Sequence, residues 1–74
     1  MHLHTAGILE MLGEKTGRFI EHHHGVYVMK EADGSNVFVI EDGQNVHIHP
    51  SEHQVDDLLA AGHLLKEGNR YHLQ

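Results

Sequence analysis

Apolar positions recur along this chain with two different periods. In the first segment Ile8, Leu9 and Leu12 fall at helical spacing and share one stripe. Thr5 precedes them as a candidate N-cap, and the pattern predicts a helix from there to about Thr16. Gly13 weakens that helix and Gly17 can end it. The period then drops to two. Four extended runs follow, Arg18–His23, Val26–Glu31, Asn36–Glu41 and Asn45–His49, broken at His24-Gly25, Asp33-Gly34 and Asp42-Gly43. Asp-Gly between β-branched runs signals a tight hairpin, because both residues accept positive φ. A second helix starts at Ser51-Glu52-His53-Gln54, a capping box with Pro50 before it. Its stripe is Val55, Leu58 and Leu59, and Gly62 is its stop. Leu64-Leu65, Lys66-Glu67-Gly68-Asn69 and Arg70–Leu73 read as a last short hairpin. The fold class this predicts is α+β: N-terminal helix, four-stranded antiparallel meander, second helix, C-terminal hairpin.

Two-residue turns at both Asp-Gly pairs would set the register. Val28 then faces Val39, and Met29 faces Phe38. Val39 also faces Val46, and Val37 faces Ile48. One sheet face collects Val26, Val28, Val37, Val39, Val46 and Ile48. The other collects Tyr27, Met29, Phe38 and Ile40, with His47 and His49 beside them. A sheet with one wet face alternates apolar and polar residues. Here both faces are apolar, so both need cover. If both helices pack on the valine face, Tyr27, Met29, Phe38 and Ile40 are left as an open interface.

Length sharpens that point. The chain has 74 residues, enough for one domain with one thin core. A domain of this size buries only about 60% of the surface its unfolded chain exposes. Self-association is a common way to find the missing burial, so a homodimer or a protein partner on that face is expected.

Charge and composition then exclude whole classes. The chain has 5 Lys+Arg against 11 Asp+Glu, a formal charge of −6, which repels nucleic acid unless basic groups cluster in space. Such a surface also suits a basic protein partner. Full protonation of the ten histidines would carry the formal charge to +4. There are no cysteines, which removes disulfides, thiolate metal sites and cysteine catalysis. No apolar run approaches the roughly 20 residues of a membrane span. Met1-His2-Leu3-His4 lacks the basic and apolar stretches of a secretory signal, so a cytoplasmic location is expected.

The histidines are the candidate chemistry. His47-Ile48-His49 on a strand puts two imidazoles on one face, a way to present nitrogen ligands to zinc, nickel or copper. Glu52 and His53 follow at the helix start, giving His47, His49, Glu52 and His53 as a candidate metal set. This run of about six residues resembles the first metal motif of the cupins. The second cupin motif is absent and the chain is shorter than a cupin barrel, so nothing further is carried over. The bland alternative is that these histidines face solvent or pack on aromatics. His22-His23-His24 ends the first strand. In a meander it lies three strand spacings of about 4.8 Å from His47 and His49, beyond the reach of one metal ion.

No catalytic set emerges. Asp56 and Asp57 are sequence neighbours on a helix and do not face each other. Ser35 and Ser51 serve a turn and a cap, and the glycines mark turns rather than a phosphate loop. Val55 to Leu73 resembles the last half of a winged helix, but the candidate reading helix carries Glu52, Asp56 and Asp57, which a DNA backbone would repel. The expectation is a non-enzymatic interaction module without a cofactor, with metal binding as the alternative.

Overall fold

A computed structural model describes residues 2–74. Helix α1 (Thr5–Gly13) leads into strands β1 (Phe19–His23), β2 (Val26–Lys30), β3 (Phe38–Glu41) and β4 (Gln44–His47). Helix α2 (Glu52–Ala60) and strands β5 (Leu64–Glu67) and β6 (Arg70–Leu73) complete the chain. The α+β class and the element order are those the pattern predicts.

The strand pairing differs from a meander. A four-stranded antiparallel sheet runs β2-β1-β6-β5, and β3-β4 forms a separate two-stranded ribbon. The C-terminal hairpin docks on β1, with Ile20 opposite Tyr71 and Glu21 opposite Arg70. It is therefore half of the main sheet rather than a free wing.

The cause lies in the three turns. At His24-Gly25 and Asp42-Gly43 both residues have positive φ (51° and 75°, 51° and 77°), the two-residue turn that matches strand twist. At Asp33-Gly34 only Gly34 has positive φ. There Glu31 N donates to Ser35 O at 2.8 Å and Gly34 N to Glu31 O at 2.8 Å, while Asp33 Oδ1 accepts from Ser35 N at 2.9 Å. The loop is thus three residues, Ala32 to Gly34, and Lys30 rather than Glu31 bridges Asn36.

That extra residue slips the register by one and exchanges the faces of β2 relative to β3. Val37 N donates to Met29 O at 3.0 Å, so Met29 sits against Val37 instead of Phe38. Val39 still faces Val46 as expected. The expected interface is therefore split. Tyr27 and Met29 are buried in the core, whereas Phe38 and Ile40 point outward. Val26, assigned to a covered valine face, is exposed.

Both helices and the ribbon pack on the Tyr27/Met29 face. One core joins Ile8 and Leu12 of α1, Ile20, Tyr27, Met29, Leu64 and Tyr71 of the sheet, Val55 and Leu58 of α2, and Val37 and Ile48 at the ribbon's base. Full burial of such side chains stabilises by about 1.5–3 kcal/mol each. The opposite face of the four-stranded sheet carries Phe19, which finds its cover locally. Phe19 is buried there beneath Arg70, whose Cζ lies 4.5 Å from the ring centroid, and beside His72 at 5.6 Å.

The helix ends show one correction and one success. Thr5 lies inside α1; His4 occupies the cap position and makes no side-chain cap bond. The helix stops at Gly13 rather than near Thr16, where Arg18 Nη1 takes the Met11 carbonyl at 2.7 Å. The capping box of α2 forms as its sequence predicts: Ser51 Oγ accepts from Gln54 N at 3.1 Å, and Ser51 N donates to Gln54 Oε1 at 3.0 Å.

Candidate functional site

The β3–β4 ribbon carries the most exposed large apolar residues of the described chain. Directly opposed residues share a face, so Phe38 pairs with His47 and Ile40 with Asn45 on the outer side. Asn36 and His49 extend that side by period two. Phe38 is 51% exposed and Ile40 75%. The inner side carries Val37 and Ile48, fully buried, with Val39 packed against the core. The ribbon thus has one anchored face and one presented face.

Its anchoring also closes the outer edge of β2. Met29 N donates to Ile48 O at 3.1 Å and Met29 O accepts from Val37 N at 3.0 Å. His49 continues the seam, its Nδ1 lying 3.2 Å from Tyr27 O. A carbonyl only accepts, so Nδ1 carries the proton in this bond. Sheet edges with unpaired backbone groups invite misassociation, and here an imidazole helps to fill one.

The presented face is free of carboxylates, lysine and arginine. Its members are Asn36, Phe38, Ile40, Asn45, His47 and His49. Glu41 and Asp42 lie at the hairpin tip, and Lys30 borders the face through its bridge to Asn36. On a chain of formal charge −6 this is a neutral island.

The candidate metal set does not assemble. Among the described residues no three or more His, Asp or Glu side chains are grouped so as to hold a metal ion. His47 and His49 stay together, their ring centroids 6.2 Å apart, as strand alternation predicts. His53 instead turns along α2, with Nε2 3.4 Å from Asp57 Oδ2. Glu52 lies close enough to Tyr27 to act on its hydroxyl. Burial first, then a hydrogen bond with Tyr71 and the charges of Tyr71, Glu52 and Asp56, push that hydroxyl up to about 12.

The triple histidine scatters into packing roles. His22 stacks on Tyr27 with centroids 4.2 Å apart and planes 9° from parallel. His23 and His24 meet edge to face at 4.0 Å. The cross-strand pair His22↔Tyr27 on β1–β2 explains the stack.

A cleft of about 340 Å³ lies between the loop after α1 and the end of β6, lined by Leu12, Lys15, Arg18 and His72 among others. Its cations are engaged by protein. Arg18 Nε donates to Glu31 Oε1 at 2.8 Å and Nη2 to Oε2 at 3.3 Å, and Lys15 Nζ stands 3.9 Å from the same carboxylate. This network was not legible in the sequence, where Lys15, Arg18 and Glu31 are separate signals that only the fold of β2 beside β1 unites.

No helix among the described residues is long and apolar enough to cross a membrane. No protein-family model, curated protein or solved structure matches this chain.

Proposed function

We propose that this chain is a non-enzymatic interaction module that self-associates through the outer face of the β3–β4 ribbon. The supporting observation is the pair Phe38 and Ile40, adjacent on a two-stranded ribbon whose other face is tied into the core. Aromatic and branched apolar side chains on a rigid element, without flanking charge on the same face, form the centre of a contact patch. A second copy is the occupant that fits best. Most of the surface of an acidic chain repels its own kind, and this face carries no carboxylate to do so. A two-fold contact also needs only one self-complementary patch.

Mass in solution tests the reading. Sedimentation equilibrium over a concentration series should show a monomer–dimer equilibrium, and Phe38→Asp should shift it to monomer with the fold intact by circular dichroism. A wild-type chain monomeric at every concentration would sink the proposal. So would a Phe38→Asp chain that remains dimeric.

A further inference from the structure

Strand β3 has one partnered edge and one open edge. Asp42 and Gly43 form a two-residue turn, so the flanking residues Glu41 and Gln44 are a hydrogen-bonded pair. Bonded and non-bonded pairs alternate along an antiparallel ladder. Val39↔Val46 is therefore bonded, and Ile40↔Asn45 and Phe38↔His47 are not. Val37 continues the alternation: its N–H turns to the partnered side and meets Met29 O at 3.0 Å. Thus β2 and then β4 occupy one edge of β3 in succession. The N–H and C=O of Phe38 and Ile40 point to the other edge. Among the described residues no strand pairs there, and no backbone bond outside the regular elements uses these groups.

Open edges are ordinarily defended by charge, proline or a cover. The free edge of the larger sheet, β5, carries Lys66 and Glu67. The outer edge of β2 is closed by Ile48 and His49. On β4 the outward backbone belongs to Asn45 and His47, whose side chains are polar. By contrast, β3 reads Phe38-Val39-Ile40-Glu41, with no lysine or proline and its one charge at the tip. The residues whose backbone is open are also those whose apolar side chains are exposed.

We infer that β3 pairs edge to edge with β3 of a second copy, antiparallel about a two-fold axis at Val39. This rests on the self-association proposed above and gives it a register. Phe38 faces Ile40 of the second copy, and Ile40 faces its Phe38. Each of these pairs exchanges both its N–H···O bonds, which closes the open edge. On the outer face the same pairs are aromatic against β-branched, a favoured cross-strand combination. Charge selects the register on a chain of formal charge −6. With Val39 on the axis, Glu41 lies opposite Val37 of the second copy, and the two Glu41 carboxylates stand at opposite ends of the new pairing. Sliding by two residues one way would set Asp42 opposite Phe38. Sliding the other way would bring Asp42 alongside the Asp33-Gly34 turn, acid against acid. The product is a continuous sheet, β4-β3-β3-β4, across two chains.

Amide hydrogen exchange of the full chain by NMR, below and above the dimer dissociation constant, tests the pairing, with sedimentation alongside. The Phe38 and Ile40 amides should exchange freely in the monomer and about tenfold or more slowly in the dimer, while the Asn45 amide stays unchanged. Ile40→Pro removes an N–H that the ribbon itself does not use, at an edge position where proline is tolerated. It should raise the dimer dissociation constant about tenfold or more, and by more than Ile40→Ala, which keeps the N–H. Asn45→Pro, the same change on the other edge, should leave the constant near wild type. Equal weakening by Ile40→Pro and Ile40→Ala would overturn the pairing. A chain monomeric at every concentration overturns the self-association and the pairing together. A dimer that Phe38→Asp dissociates, but whose Phe38 and Ile40 amides exchange as fast as in the monomer, overturns the pairing and leaves the ribbon-face contact standing. Protection gained at Asn45 in place of Phe38 and Ile40 would move the contact to β4 and overturn the β3 edge.

Discussion

Arg18 and Glu31 form a two-pronged ion pair, Nε to Oε1 at 2.8 Å and Nη2 to Oε2 at 3.3 Å, and the same guanidinium caps α1 at the Met11 carbonyl. The Arg18 side chain is only 6% exposed. Its hydrogen bonds hold the Glu31 carboxyl below its ordinary range, against the opposing cost of burial. A depressed carboxylate stabilises the fold above its unfolded pKa, and that stabilisation is lost as pH falls through the folded value. Arg18→Ala should therefore cost about 2 kcal/mol or more at neutral pH, as charge-assisted bonds and a helix cap are lost together. In Glu31→Gln the acid-limb slope of stability against pH should flatten. Urea unfolding at several pH values checks both, and an unchanged acid limb in Glu31→Gln would refute the assignment.

Gly17 joins the two sides of that network. Its φ is +86°, and a Cβ there would stand 2.7 Å from the Ala32 Cβ. Gly17→Ala meets two separate costs: the left-handed backbone, about 1–2 kcal/mol, and the collision. The double change Gly17→Ala/Ala32→Gly removes only the collision. It should recover part of the loss and not all of it, as read from denaturant midpoints. Full recovery would mean that the backbone is not strained by a side chain at this position.

The β2–β3 connection shows where sequence reading reached and where it stopped. Hydrophobic period, glycine stops and the Ser51–Gln54 capping box were enough to predict the helices, the strands and their order, because these signals are local. Asp33-Gly34 and Asp42-Gly43 look alike in sequence, yet only the second is a two-residue turn. Asp33 accepts from both Ser35 N and Ser35 Oγ, and this local competitor draws a third residue into the loop. One residue of slip sends Met29 inward and separates it from Phe38. The docking of β6 on β1 was beyond local signals altogether, since nothing in Arg70–Leu73 distinguishes a partner strand from a free hairpin. For the histidines, strand alternation correctly kept His47 and His49 together, but the direction of His53 and Glu52 depends on the path of Pro50 and Ser51.

That slip has a measurable consequence. Met29 is fully buried and Ile40 is 75% exposed, although the sequence pattern puts them on one surface. Met29→Ala should cost about 2–5 kcal/mol, as for a core truncation. Ile40→Ala should change monomer stability by no more than about 0.5 kcal/mol. The comparison belongs at concentrations low enough that the chain is monomeric. Similar losses in the two variants would restore the original register.

Tyr27 makes a prediction at the alkaline end. Burial, then the hydrogen bond with Tyr71 and neighbouring negative charge, raise its hydroxyl to about 12 from 10.0. The sign is the reverse of the Glu31 case. A raised tyrosine contributes stability that is fully present below the unfolded value and is lost as pH rises through the folded one. Carbon NMR of the Tyr27 ring should therefore show ionisation near pH 12, accompanied by unfolding. Ionisation at the ordinary pH of about 10, with the fold intact, would contradict the packing described for Tyr27, His22 and Tyr71.

Gln54 holds the two ends of the chain's helical layer together. Its Oε1 accepts from Ser51 N in the capping box, while its Nε2 donates to the Leu3 carbonyl at 2.6 Å. One side chain thus starts α2 and fastens the segment leading into α1. The two jobs use different atoms, so they can be separated. Gln54→Glu keeps an acceptor for Ser51 N, and a carboxylate suits the start of a helix. It turns an oxygen toward the Leu3 carbonyl, where a donor is needed. Gln54→Ala loses both bonds, and Ser51→Ala loses the reciprocal half of the box at about 1 kcal/mol. Hydrogen exchange should therefore show faster exchange early in α1, at the Ile8 amide bonded to His4 O, in both Gln54 variants. Exchange in the first turn of α2 should rise in Gln54→Ala and Ser51→Ala and stay near wild type in Gln54→Glu. Unchanged protection of Ile8 in Gln54→Glu would show that α1 is held by the packing of Ile8 and Leu12 alone.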